Sequence, residues 1–262
     1  MIATPREGSG PQYLDERVAL VTGSSAGIGL AVAQKLAADG ASVVVNSRSQ
    51  ERADAAAAAV GGDRVIALAA DVGDPASVQE LVDRTVESFG RLDILVNNAG
   101  QSNAVPTTEL AVEDWQRVLQ LNLTGPFLCA QAAGRVMLAA GAGVIINMGS
   151  IWGHAGLPGR VAYASTKHAI TGMTKVLASE WGPHGLRVLS VDPGYTETEL
   201  VSQLLASGAV DEKSILARTP SRRLAQPSEI AEMVAFMASD RARFVNGSSV
   251  LVDGGWTAYG GW

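Results

Sequence analysis

The chain is poor in the residues that staple a fold or hold a metal: among 262 residues there is one cysteine, Cys129, and only 3 histidines. A lone cysteine makes no internal disulfide, and three histidines without ligand spacing give no metal signature, so no metal is expected and a reducing compartment is implied. Positive charge is also short. Lys and Arg total 20 against 26 Asp and Glu, a formal net charge of −6, which argues against nucleic acid or an anionic membrane surface as partner. No uninterrupted apolar run is long enough to cross a bilayer, and the opening MIATPREGSGPQYLD holds no apolar segment of signal-peptide type. A soluble, cytoplasmic protein is expected. What the chain does have is 47% hydrophobic residues and 29 glycines, enough apolar sequence to bury a large core.

Short apolar runs alternate with longer helical patterns almost to the end. The runs are Val18–Thr22, Ser42–Val45, Val65–Ala69, Ile94–Val96, Val144–Met148, Val188–Val191 and Ser249–Val252, and their brevity and β-branching favour buried strands. Helices are expected at about 27–39, 51–59, 75–89, 107–121, 125–140, 162–181 and 227–239, with Asp74-Pro75 and Gln226-Pro227-Ser228-Glu229 as start signals. Strands apolar throughout, each followed by a helix, indicate a parallel sheet covered on both faces. The expected architecture is therefore α/β: one doubly wound domain over 15–262 after an N-terminal extension at 1–14. The longest patternless stretch, 194–226, is expected to be a lid over a site.

The first strand runs into Thr22-Gly23-Ser24-Ser25-Ala26-Gly27-Ile28-Gly29 and then a helix. Glycines there let the backbone touch a pyrophosphate resting on the helix N-terminus, although a Gly-rich turn also closes purely structural loops. The spacing is G-x3-G-x-G rather than G-x-G-x-x-G. The second strand ends Val45-Asn46-Ser47-Arg48, with no acid before Glu51. A carboxylate at that point accepts from the ribose of NAD, whereas Ser47 and Arg48 suit the 2′-phosphate of NADP. NADP(H) is favoured, and NAD(H) stays open.

Tyr163 and Lys167 stand four apart at the start of a helix, on one face. Thirteen residues before the tyrosine, Ser150 follows a strand, where open α/β sheets bind ligands. A phenol ionises only near pH ~10, so a tyrosine acting as base at neutral pH needs a neighbouring cation. A serine hydroxyl beside it can donate to a carbonyl oxygen on which charge grows.

Thr22-Gly23-x3-Gly27-x-Gly29, Asn97-Asn98-Ala99-Gly100, Asn122, Ser150, Tyr163-x3-Lys167 and Pro193-Gly194 occur in this order. With that set the chain resembles the short-chain dehydrogenase/reductase family from Arg17 to Asp253-Gly254-Gly255. The resemblance implies a Rossmann-type sheet of seven strands, a nicotinamide cofactor and reversible carbonyl–alcohol interconversion. It makes Asn122, Ser150, Tyr163 and Lys167 the catalytic set, with Lys167 also holding the nicotinamide ribose and Asn122 anchoring a water that links Lys167 to solvent. It places the cofactor on Gly23, Ser25, Gly27, Ile28, Gly29, Ser47 and Arg48, on Asp71-Val72 for the adenine, and on Asn98, Ala99 and Gly100. Tyr163, Lys167, Pro193, Gly194, Thr196 and Thr198 complete the cofactor site. A homotetramer built through 107–140 and 162–181 is implied as well.

The chain departs from the family in places. Ala26 stands where some NADP-specific members carry a basic residue, Leu189 replaces a usual Asn, and Asp192 is unusual beside the cofactor loop. Ser150, Trp152, His154, Tyr163 and Tyr195 are the expected substrate contacts. His154 is a candidate extra acid or base, although loop histidines are commonly solvated. His168 and His184 read as helix-surface residues. The tail Gly255-Trp256-Thr257-Ala258-Tyr259-Gly260-Gly261-Trp262 carries tryptophans costly to expose, so it is expected to pack on a neighbouring subunit, a flexible tail being the other reading.

The reading is an NAD(P)-dependent oxidoreductase acting on a secondary alcohol or ketone, with a sugar, polyol or other small hydroxy compound as substrate. The enzymatic alternative is a 3-oxoacyl-carrier-protein reductase, for which Arg218, Arg222 and Arg223 would supply a basic patch. The alternative of another class is a non-catalytic dinucleotide sensor, against which the retained Tyr163–Lys167 pair argues.

Overall fold

The computed structural model describes residues 13–206 and 211–260. All seven expected strands form: β1 (Val18–Val21), β2 (Ser42–Ser47), β3 (Val65–Ala69), β4 (Ile94–Asn97), β5 (Gly143–Met148), β6 (Leu186–Pro193) and β7 (Ser249–Val252). They make one parallel sheet in the order β3-β2-β1-β4-β5-β6-β7. Register is fixed along β1, where Val18 pairs with Ser42 on one side and Ala19 with Ile94 on the other.

Side chains alternate along each strand, and both faces are buried. Ala19, Val21, Val43, Val45, Ile94, Val96 and Ile146 pack under α1 (Gly27–Ala38) and α9 (Pro227–Ala238). Leu20, Val44, Leu95, Ile145 and Val188 pack under α3 (Pro75–Phe89), α5 (Gly125–Ala140) and α6 (Val161–Trp181). A helix on each face leaves no solvent side to the sheet, which is why the strands read as continuous apolar runs. α2 (Gln50–Val60) flanks the β2–β3 side. The expected caps form. Asp74 accepts from Ser77 N at 2.7 Å, and Gln226 with Glu229 closes a capping box.

Three expectations need correction. The helix expected at 107–121 is a 3-10 turn at Thr107–Glu109 followed by α4 (Val112–Leu119). It then runs on without a break through a π turn, Gln120–Thr124, into α5. Pro126 explains the widening: proline lacks an N–H and its ring crowds the carbonyl four residues back, and Gly125 N instead bonds Gln120 O, one residue further away. The 194–226 stretch is not patternless, for it contains α7 (Glu199–Ala206) and α8 (Glu212–Arg218). Of the expected extension, residues 1–12 lie outside the described residues, while Leu14 is buried in the core with its N–H on Asp39 O at 2.9 Å.

The tail also differs from expectation. Trp256 is buried within its own chain, edge-on to Trp152 with ring centroids 4.9 Å apart, and the Arg218 guanidinium stacks 3.8 Å above it. Asp253 fixes this turn, accepting from Gly255 N at 2.9 Å and Thr257 N at 2.8 Å. Tyr259 is exposed, and Trp262 lies outside the described residues.

Candidate active site

The carboxyl ends of β1, β2, β4, β5 and β6 open into one groove of about 650 Å³. β1 has β2 on one side and β4 on the other, so the groove lies where strand order reverses, the ligand-binding position of open α/β sheets.

One half of the groove is the glycine turn. Gly23 has φ 60, and a Cβ there would lie 2.7 Å from Ala99 Cα; a Cβ on Gly29 would lie 2.7 Å from Gly23 O. Only glycine permits both the left-handed backbone and the approach. The turn is braced from beneath by Asn46, which carries no motif signal of its own, and by Thr22 and Asn98, which do. Asn46 is buried in β2; its Oδ1 accepts from Gly23 N at 3.2 Å and its Nδ2 donates to Leu68 O at 3.2 Å. Thr22 Oγ1 accepts from Asn98 N and Ala99 N, at 3.0 and 3.1 Å. Asn98 Nδ2 donates to Thr22 O and Gly23 O, at 3.0 and 2.9 Å, so the Asn98 amide holds the turn's backbone.

α1 begins after Ala26, which offers no side-chain cap. Its first N–H groups, with no helical acceptor of their own, therefore stand at a groove wall made by Gly23, Ser25, Gly27, Ile28 and Gly29. This uncapped, side-chain-free helix start fits a pyrophosphate. Further along, Ser47, Arg48, Val72, Asn98, Ala99 and Gly100 line the groove, and Arg52 joins Arg48. Arg52 lies in the first turn of α2, and no motif marks it. Asp71 is not among the lining residues; its carboxylate accepts from Gly73 N at 2.9 Å.

In the other half, β5 delivers Ser150 and α6 delivers Tyr163 and Lys167 to the same wall. Lys167 Nζ lies 5.5 Å from the Tyr163 ring centroid and donates to Met148 O at 2.6 Å. Ser150 Oγ accepts from Trp152 N at 3.2 Å, which leaves its own proton to donate elsewhere. Asn122 does not line the groove. Buried in the π turn, it grips the backbone of Gln101, accepting from its N–H at 2.9 Å and donating to its carbonyl at 2.8 Å. π turns recur at functional sites, and here the turn aims Asn122 at the loop after β4. Pro193, Gly194, Thr196 and Thr198 close the wall from β6 onward.

Trp152 and Tyr195 line the expected substrate end and meet edge to face at 6.3 Å. Burial pushes the Tyr195 phenol up, while the nearby Arg160 and Arg218 guanidinia pull against it. Arg160 itself, which no motif marks, is also part of the wall. His154 is not. The expected substrate contact is corrected: His154 is exposed outside the groove, its Nε2 is 2.5 Å from Asp192 Oδ2, and Asp192 is fully buried with Ser190 Oγ donating to its other oxygen. The pair ties the segment after Ser150 to β6 just before Pro193-Gly194.

Comparison with known proteins agrees with this geometry. A family model described as enoyl-(acyl carrier protein) reductase, of the short-chain dehydrogenase/reductase type, matches residues 23–257. The chain is 44% identical over 246 residues to the D-threitol dehydrogenase of Mycolicibacterium smegmatis, covering 93% of this chain and 94% of that one. It is 43% identical over 245 residues to the cis-4-hydroxycyclohexanecarboxylate dehydrogenase of Sinomonas cyclohexanicum, covering 93% and 97%. Among solved structures, a gluconate 5-dehydrogenase from Burkholderia cenocepacia in complex with NADP and tartrate superposes with a TM-score of 0.90 at 38% identity, covering 95% of this chain and 98% of that one. A glycine cradle, a tyrosine–lysine pair on one wall and a family match over most of the length lead to one conclusion: the chain belongs to the short-chain dehydrogenase/reductase family, NAD(P)-dependent oxidoreductases that interconvert alcohols and ketones.

Proposed function

We propose that this enzyme is an NADP(H)-linked dehydrogenase of a sugar, polyol or other small hydroxy compound, with Ser150, Tyr163 and Lys167 as its reactive groups. The observation that carries the reading is the convergence of these three side chains on a groove continuous with the glycine turn. Gly23, Ser25, Gly27, Ile28 and Gly29 would hold a nicotinamide dinucleotide, which would supply the hydride chemistry. Tyr163 takes the hydroxyl proton of the alcohol, or returns one to the carbonyl oxygen in the reverse direction. The Lys167 ammonium, held by Met148 O, stands 5.5 Å from the Tyr163 ring centroid on the same wall. Ser150 donates to the substrate oxygen as charge grows there. Asn122 acts through Gln101, keeping the loop after β4 against the groove.

Preference for NADP(H) over NAD(H) is supported by Ser47, Arg48 and Arg52 at the rim and by the absence of an acid at the end of β2. The NADP-bound gluconate dehydrogenase is a relative in keeping with it, as the threitol dehydrogenase is with a polyol substrate. Trp152 and Tyr195 form the substrate wall, with the His154–Asp192 pair steadying the Ser150 segment, and the described part of 194–226, which brings Thr196, Thr198, Glu199, Val201 and Gln203 to the groove, serves as a lid. A homotetramer is supported by Val112, Phe127 and Val176, exposed apolar residues on α4, α5 and α6.

The carrier-protein alternative rests on Arg218, Arg222 and Arg223, all exposed. Arg223 is paired with Glu229 at 2.6 Å, whereas Arg222 Nη1 donates to the neutral Ala217 O at 2.9 Å and Arg218 lies on Trp256, so of the three only Arg223 has its charge countered among the described residues. An absorbance screen of polyols, sugars and ketones with each nicotinamide tests the proposal. Turnover of a polyol or its ketone is expected. Tight NADPH binding with no turnover across the panel would favour a sensor instead.

A further inference from the structure

Arg160 is nine-tenths buried, at 9% exposure, and lines the groove together with Ser102, Leu157, Tyr163 and Tyr195. It occupies the cap position of α6, one helical turn before Tyr163. Its Nη1 donates to Ser102 Oγ at 2.8 Å and to Asn103 O at 3.1 Å, both neutral acceptors. Among the described residues no carboxylate pairs with it. Nε and Nη2 bond nothing among the described residues, yet neither is sealed from solvent as Arg187 Nη1 is. These two nitrogens form the side-on fork with which Arg91 holds Asp93 elsewhere in the chain, at 2.8 and 2.6 Å.

A guanidinium withdrawn from water without a counter-ion is costly. One at a groove wall, with its fork unfilled, is matched by a planar anion arriving with the ligand. We infer that Arg160 is a specificity-determining residue that binds a substrate carboxylate, so that the enzyme's preferred substrates are hydroxy acids and their oxo counterparts rather than neutral polyols. One fork suits the two oxygens of a single carboxylate. A phosphate dianion would call for a second cation, whereas Lys167 is engaged by Met148 O and Arg48 and Arg52 belong to the cofactor rim. Arg160 lines the same groove as Trp152 and Tyr195, which puts the guanidinium at the substrate end. This inference rests on the proposed dehydrogenase reading and narrows its substrate class.

The test uses the NADP⁺-loaded enzyme and matched four- to six-carbon aldonates and alditols, such as threonate and threitol, which differ only in carboxylate against hydroxymethyl at one end. Calorimetric binding and steady-state oxidation are read for the wild type, Arg160→Gln and Arg160→Lys. The wild type is expected to bind an aldonate at least about tenfold more tightly than its alditol, in line with a charge-assisted pair. Arg160→Gln is expected to lose that margin, mainly through KM, and to change the alditol by less than about threefold. Arg160→Lys, which keeps the charge and guards against a merely unfolded variant, should recover part of the margin. No aldonate preference across the pairs, or equal losses on both compounds, overturns the inference while leaving the dehydrogenase reading intact. Selective aldonate binding without oxidation of any pair sustains the carboxylate subsite and counts against the dehydrogenase reading.

Discussion

Replacing Trp256 by alanine tests whether the end of the chain belongs to the substrate pocket. The indole is 4% exposed, edge-on to Trp152 at 4.9 Å and covered by the Arg218 guanidinium at 3.8 Å. Truncating a buried tryptophan costs about 3–5 kcal/mol, in which edge-to-face partners account for about 0.5–1.5 kcal/mol. At this chain length each kcal/mol moves the midpoint by roughly 2 °C, so melting should fall by roughly 6–10 °C. The burial is within one chain, and the drop should therefore be the same at high and at tenfold lower protein concentration. Trp152 and α8 also lose support, so KM for the alcohol should rise more than the dissociation constant of the cofactor. Trp256→Phe, which keeps an aromatic edge against Trp152, should show a smaller loss on both counts. Melting within about 2 °C of the wild type, or a loss that appears only on dilution, would refute intrachain packing of the tail.

Arg48→Ala should weaken NADPH about 10- to 100-fold, the worth of a charge-assisted phosphate contact, with little change for NADH; equal losses would remove the NADP preference, and the double change with Arg52→Ala checks for substitution of one arginine by the other. Burial pushes the Cys129 thiol up to about 12, so the native enzyme at pH 8 should resist a thiol reagent that takes one equivalent after denaturation. Because the folded thiol holds its proton more tightly than the unfolded one, its contribution to stability is complete below the unfolded value and is lost as pH rises toward the folded one; rapid native labelling would contradict the buried placement.

The sheet is legible in the sequence because both of its faces are covered, which turns each strand into an apolar run bounded by turn residues. The glycine turn and the Tyr163–Lys167 pair are legible for a similar reason: each is a local pattern whose geometry follows from spacing along a single element. The rest depends on contacts between distant segments. His154 and Asp192 are 38 residues apart, and nothing near either one announces the other. Arg160 carries no pattern, since what sets it apart is that no carboxylate pairs with it among the described residues. α7 and α8 are eight and seven residues long, too short to hold as isolated helices, and stand on tertiary packing rather than periodicity. The π turn at Gln120–Thr124 hides because Pro126 looks like a new helix start although the helix runs through it.

The central claim is that the Tyr163 hydroxyl carries the proton in a reaction whose hydride is exchanged with a dinucleotide in the same groove. Turnover and cofactor affinity of Tyr163→Phe test it together, since the ring stays and only the oxygen goes. Loss of turnover by about 10²–10⁴, with the NADPH dissociation constant within about threefold of the wild type, is the predicted result. Turnover within tenfold of the wild type would contradict the account.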